Sequence, residues 1–424
     1  MTIITSSTTI NSSNLNSYNW PITINPPVGS TGATITFTSN VTFTKNTYYF
    51  IIGGSTISPP QITITGSNQN NNLQNLININ INLSKGYYTG LVENGSVSAI
   101  SPSNAKNNVR IQYLAITSAT NTIDPGAGWF TLPSYGLNLP QPNNLLIQYC
   151  TSAGRMNNSF SGGIVGASST ARVFNCTSSS TLNNGAQGGI IGAYSTGIAD
   201  TCTSSSPPAS KAAYVGGIFG AFSGGTAVNC VYAPTGTGGQ NLPADSGGIY
   251  GKNATNANII NCTNNSLCNI TNANSGGIAG VSATNCIITG CTNNGRILGQ
   301  ASGGIVGAFA SGCTITICRN NGNIAKQGSG GICGGNANNG TINNCVNANS
   351  GSNITGVGSG GIIGQNSTGC ITNSCSNLNN IKGTGIGGCN GRIAKSFSNI
   401  NFTASGTVQK GSIQSGLVNS GLKV

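Results

Sequence analysis

The residues best equipped for chemistry are few in this chain of 424. It has four acids, Glu93, Asp124, Asp200 and Asp245, fifteen cysteines and no histidine. Glycoside hydrolysis normally needs two carboxylates a few ångströms apart. Asp200 stands two residues before Cys202 and Asp245 two before Gly247, at different phases of the repeat described below, so they imply no pair. Glu93 and Asp124 fall in irregular stretches, and a lyase with an arginine base and acidic calcium ligands needs more acids than four. Without histidine there is no Ser–His pair and no imidazole base. Cys286/Cys291, Cys313/Cys318 and Cys370/Cys375 read C-x4-C, whereas zinc sites use tighter pairs and usually histidine. The expectation is a chain that is not an enzyme, with no catalytic residues, no cofactor and no metal.

What the cysteines share is a period. The phrase Gly-Gly-Ile-x-Gly starts at Gly162, Gly188, Gly216, Gly247, Gly276, Gly303, Gly330 and Gly360, with a degraded copy at Gly387, at intervals of 26 to 31 residues and about 28 on average. Such a period marks a solenoid. Its third position is always isoleucine: Ile164, Ile190, Ile218, Ile249, Ile278, Ile305, Ile332 and Ile362. A cysteine follows each start by 14 residues (Cys176, Cys202, Cys230) or 15 (Cys262, Cys291, Cys318, Cys345, Cys375). Parallel strands stacked about 4.8 Å apart place each residue on its own copy in the next coil. The spacing therefore predicts an all-β fold, a single parallel β-helix (β-solenoid) of about 28 residues per coil, right-handed as parallel crossovers overwhelmingly are. In it the isoleucines and these cysteines form structural ladders. The glycines supply positive φ at corners or close approach of another sheet. Val173 and Cys176 are both expected inward with Asn175 at a bend, because an interval of three residues does not fit an unbroken strand.

Buried free thiols acting as small apolar residues are the favoured reading of the cysteines, with ladder disulfides and metal as alternatives. Charged residues make up only 5% of the chain, and Lys+Arg 16 against Asp+Glu 4 gives +12. The basic residues are scattered, which suits weak polyanion or glycan contact but no specific nucleic-acid site. Thr-x-Thr does not recur in the coils, which argues against an ice-binding face. No apolar run reaches the length of a membrane span. Met1 to Asn11 carry neither a basic nor an apolar leader region, so assembly inside a cell in a reducing compartment is expected.

Four segments follow. Residues 1–17 are polar and expected as an N-terminal arm. Residues 18–148 contain period-two runs at Ile22–Ile24, Ile35–Phe37, Val41–Phe43, Tyr48–Ile52, Ile62–Ile64, Ile77–Leu83, Val109–Ile116 and Leu145–Thr151, and are expected as irregular coils with loop excursions. The excursion from Asp124 to Pro142 holds Trp129, Phe130 and Tyr135 and reads as a contact loop or as a plug over the first coils. Residues 149–395 are the regular repeats, and residues 396–424 are expected as a C-terminal cap or docking segment.

Gly-Gly-Ile-Val-Gly-Ala, followed by an apolar pair and Asn-Cys-Thr, resembles the GLUG motif over about residues 148 to 395, with Ile in place of the usual Leu. GLUG-like repeats occur in bacterial surface proteins and in repeat families of giant DNA viruses of amoebae; the Asn/Ile/Ser/Thr bias is more similar to the viral group. That resemblance implies a structural, self-assembling component of a viral particle (capsid, tegument or fibre layer) or filament. It would be located in the virion after assembly in host cytoplasm, with copies of itself and other virion proteins as partners. The alternative is a secreted or surface adhesin that recognises glycans or host molecules and is located outside the cell or on its surface. Monomers that bind glycans would favour the latter, and abundance in purified particles the former.

Overall fold

Short runs such as Ile22-Thr23-Ile24 and Ile77–Ile81 alternate apolar and polar residues, and these strands bury the apolar set and half-expose the other. A computed structural model describes residues 2–27, 29–53, 61–67, 73–94, 108–136, 145–209, 212–235, 240–348 and 353–381, with strands Ser398–Ile400 and Thr403–Ala404. Strands pair only in parallel, in an all-β solenoid with roughly 29 residues per turn. Two sheets of 14 strands run along it. A third face begins as a sheet of four, Thr2–Ile4 (β1), Ile22–Ile24, Phe50–Ile52 and Val92–Glu93. Isolated bridges continue that face through Val92↔Thr131, then Val165↔Ile191 and Ile191↔Phe219, so the Gly-Gly-Ile phrase occupies it in the later coils.

Register is kept throughout. Ile111, Ile147, Val173, Ala199, Ala227, Ile259, Ile288, Ile315 and Ile342 are successive partners in one 14-stranded sheet, and each is buried in one continuous core. The two long sheets meet at a corner made by a single residue of positive φ: Tyr149, Asn175, Thr201, Asn229, Asn261, Gly290, Ile317, Asn344 and Ser374. A left-handed residue turns the chain within one step, which is how Val173 and Cys176 both face inward across an odd interval.

Two expectations are corrected here. Residues 2–17 are not an arm. β1 pairs with Ile22–Ile24 and Thr8–Ile10 (β2) pairs with Ala33–Phe37, and Ile4, Ile10 and Leu15 are buried in the common core. The 3-10 turn Leu15–Ser17 completes that first coil, held by Trp20 Nε1 donating to the Leu15 carbonyl at 3.0 Å.

Residues 124–136 are neither contact loop nor plug. Gly128 bridges Gly162, Phe130 N donates to the Ile164 carbonyl at 3.0 Å, and Trp129, Phe130 and Tyr135 are fully buried. This is an unrecognised copy of the coil phrase, in which Trp129 aligns with the second glycine; a Cβ on Gly154 would lie 2.2 Å from the indole, so Gly154 makes its room. The degraded copy at Gly387 and most of 396–424 lie outside the described residues, although Ser398–Ile400 and Thr403–Ala404 extend the two long sheets.

Candidate functional site

Every isoleucine from Ile164 to Ile362 in the third position of the phrase is fully buried. From Ile190 to Ile362 each carbonyl accepts from two donors of the preceding coil, as Ile164 N and Val165 N do toward Ile190 O at 2.8 and 2.9 Å. The cysteines Cys176, Cys202, Cys230, Cys262, Cys291, Cys318, Cys345 and Cys375 are buried and free. Apart from Cys262, their thiols lie 3.3 to 3.6 Å from carbonyls of the coil before, where an S–H can donate, for example Cys202 to Val173 O and Cys345 to Ile315 O. In several coils the sulfur also accepts from the previous cysteine's amide, as Cys176 does from Cys150 N at 3.4 Å. Cys286, Cys313 and Cys370 form a second set against Ala254, Ala283 and Ala337 carbonyls, so the members of each C-x4-C pair belong to different columns. Burial pushes the thiols of Cys176, Cys202 and Cys333 well up from their ordinary value. Among the described residues no three His, Cys, Asp or Glu gather where a metal could be held.

Beside the thiols runs a ladder that the sequence reading passed over. Asn264, Asn293, Asn320, Asn347 and Asn377 are buried, and each amide donates to the next side-chain oxygen at 2.7 to 2.8 Å. Asn293 and Asn320 also donate to the carbonyls of Gly295 and Gly322. Serines take this place in earlier coils, with Ser152 Oγ donating to Ser178 Oγ at 3.0 Å. The signal was available: Asn stands two residues after cysteine, and in a strand an inward cysteine makes its second neighbour inward as well. This ladder also explains the paired glycines. A Cβ on Gly248, Gly277, Gly304 or Gly331 would run into the asparagine side chain and into a backbone oxygen of the next coil.

The acids are dispersed. Asp200 pairs with Arg172 at 2.9 Å and Asp245 with Lys252 at 3.8 Å, in different coils. Burial raises the carboxyl groups of Glu93 and Asp124 above their ordinary values, and Asp124 N donates to the Tyr88 carbonyl.

Two outer surfaces carry side chains that the core does not need. On one long sheet a shallow depression of about 190 Å³ is lined by Leu146, Gln148, Arg172 and Phe174. Arg110 and Arg172 flank Leu146 in register, and the Tyr113 and Tyr149 rings stack at 5.3 Å beside it. At the corners that flank the Gly-Gly phrase, two further columns of positive φ run along the rod. One contains Phe160, Ala186, Tyr214, Asp245, Asn274, Ala301, Gly328 and Gly358; the other contains Ser168, Tyr194, Phe222, Asn253, Ser282, Phe309, Asn336 and Asn366. Tyr194 and Phe222 stack at 4.9 Å and 7°, Phe160 lies 5.6 Å from Tyr194, and Lys252 Nζ stands 4.4 Å over the Tyr214 ring.

No family model and no curated protein sequence matches the chain. Among solved structures it is similar to the surface protein and adhesin PfbA of Streptococcus pneumoniae, at 12% identity and TM-score 0.34 over 91% of this chain and 90% of that one. It is also similar to ORF18 of Geobacillus virus E2, at 10% identity and TM-score 0.26, covering 94% of this chain and 57% of that one. A third similarity is to the A-module of the mannuronan C-5 epimerase AlgE6 of Azotobacter vinelandii, at 12% identity and TM-score 0.25, covering 94% of this chain and 88% of that one. No helix among the described residues is long and apolar enough to cross a membrane.

Proposed function

We propose that the chain is a non-enzymatic structural protein that polymerises end to end, as a component of a viral particle or filament. The isoleucines from Ile164 to Ile362 and the cysteines from Cys176 to Cys375 act as the ladder that keeps the rod stiff. The observation that carries this reading is the outer side of β1. Asn25 N donates to the Ile4 carbonyl at 2.8 Å, so Ile4 faces the stack, and by strand alternation the N–H and C=O of Ile3 face away from it. Ile3 is 58% exposed, and among the described residues β1 has a strand on one side only. An uncovered edge of this kind is a template for one more parallel strand. Supplied by another copy, that strand makes a head-to-tail contact that repeats without closing. A chain with only 5% charged residues offers little repulsion to such stacking.

Electron microscopy and sedimentation of the purified protein test this. Wild-type protein forms rods longer than one molecule in a concentration-dependent way, and Ile3→Pro, which removes the outward N–H, shortens them. Monomers at all concentrations would overturn the reading. The second reading is a secreted or surface adhesin that binds glycans or host molecules, favoured by the depression between Arg110 and Arg172.

A further inference from the structure

We infer that the corner around Ala186 is a binding platform for a neutral, extended glycan. Five side chains define it. Phe160 and Tyr214 stand on either side of Ala186 in one corner column, and Tyr194 and Phe222 stand in the adjoining column. The two columns are laced together by Ala193 N donating to Phe160 O at 3.0 Å and Ala221 N donating to Ala186 O at 3.2 Å. Ala186, Ala193 and Ala221 pack together as a small apolar floor with Phe222 against it.

The strongest observation is where these rings are placed. Phe160, Tyr194, Tyr214 and Phe222 all have φ between 58° and 67°, a region that suits glycine and asparagine and that bulky side chains rarely adopt. Elsewhere the same columns carry Asn274, Gly328, Asn253 and Asn336. The rings do not repay the fold by burial, since Phe160, Tyr194 and Tyr214 are 39%, 48% and 38% exposed. Strained, exposed aromatic residues in consecutive coils are the pattern of a surface kept for binding.

The chemistry then selects the ligand. Tyr194 and Phe222 succeed each other at 4.9 Å, close to the coil spacing, so the platform offers a ring at successive steps along the rod. Rings stacked face to face along the rod turn their weakly positive edges outward, and a polymer that carries hydroxyl and ring oxygens on each unit meets such edges. The Tyr194 and Tyr214 hydroxyls have no hydrogen-bond partner among the described residues and are available to sugar hydroxyls. Charge fits a neutral partner, because among the described residues the cation beside the platform, Lys252, is held by Asp245 and the Tyr214 ring. Area argues against a second copy. Rings of roughly 200 Å² each, less than half exposed, offer roughly 300–400 Å², short of the ~800 Å² per partner of a stable interface.

The test is titration of the full chain with cellohexaose and chitohexaose, followed by tyrosine fluorescence, using wild type, Tyr194→Asn, Phe222→Asn and the double variant. Asparagine already occupies this corner in other coils, so the variants keep the fold and melt no lower than wild type. The proposal expects saturable binding of at least one hexaose, weakened about tenfold or more by each substitution and lost in the double variant. Three results would overturn it: no binding of either hexaose at millimolar concentration, unchanged binding in the double variant, or displacement by heparin and not by excess neutral hexaose. A change of oligomeric state in the double variant, with sugar binding intact, would show the face to be a contact between copies and would overturn it too. The inference goes beyond the structural reading and stands apart from it, since Ile3→Pro shortens polymers and leaves hexaose binding unchanged.

Discussion

Asn320 holds its side-chain amide where a β-carbon on Gly304 would lie, 2.6 Å from the amide carbon and 2.1 Å from the Gly331 carbonyl oxygen. The second glycine of the repeated phrase is therefore a packing partner of the polar ladder. Gly304→Ala should destabilise by about 3 kcal/mol, the upper range for overpacking a core against backbone. Gly340→Ala is the control: its Cβ would make ordinary contacts, 3.5 Å to Cys313 O and 3.7 Å to Cys370 Sγ. Urea midpoints should fall sharply for the first and hold or rise slightly for the second.

Asn293 donates to Asn320 and accepts from Asn264 within the core. Asn293→Leu should cost about 2–4 kcal/mol, since both neighbouring amides lose a partner in a place water does not reach. Asn294→Ala, which removes a half-exposed acceptor of Asn321, should stay within about 0.5 kcal/mol by the same urea measurement.

Ile317 is a β-branched residue at φ 56 with 61% of its surface exposed. It suffers at this corner and gains little from burial. Ile317→Asn should raise stability by about 1 kcal/mol, visible as a higher melting temperature, whereas Asn344→Ile at the same corner should lower it.

Cys176 and Cys202 are buried and their thiols are pushed up by desolvation, so little nucleophilic thiolate forms at neutral pH. A thiol reagent such as dithionitrobenzoate should label them only as fast as the chain unfolds. Rapid labelling of native Cys176 in peptide maps would contradict the buried placement.

Glu93 and Asp124 titrate above their ordinary values because burial disfavours the charged form. The folded state then holds protons that the unfolded chain has released. These two groups therefore contribute stability below the ordinary carboxylate range and lose it as pH rises through the higher folded values. With the double variant Glu93→Gln, Asp124→Asn as reference, wild type should weaken relative to it as pH rises above the ordinary carboxylate range. Chemical unfolding over that rise reads the difference.

The isoleucine and cysteine spacing made the parallel stack legible, since a fixed interval between like residues has few other geometric meanings. The odd interval from Val173 to Cys176 also pointed to the bend that Asn175 provides. The coil at Trp129 escaped notice because an indole stands where the phrase has glycine, and the compensating glycine, Gly154, lies in the following coil. Residues 2–17 escaped because Thr2–Ile4 sets two isoleucines side by side and Thr8–Ile10 carries one apolar residue, so neither shows the alternation of Ile22–Ile24. The aromatic corner was hidden for a different reason. Phe160, Tyr194 and Phe222 meet only after the chain has wound, and no local pattern announces a positive φ at a phenylalanine.

The partnering of Ile287 with Thr314 and of Thr314 with Thr341 shows two neighbouring turns of equal span. Every inward group there finds its mate one turn away and none further. Duplicating or excising residues 303–329 would thus join surfaces that already match, leaving both ends untouched. Length in this molecule can be edited like the number of links in a chain, and the reach of the solenoid could change in evolution without any new interior being invented.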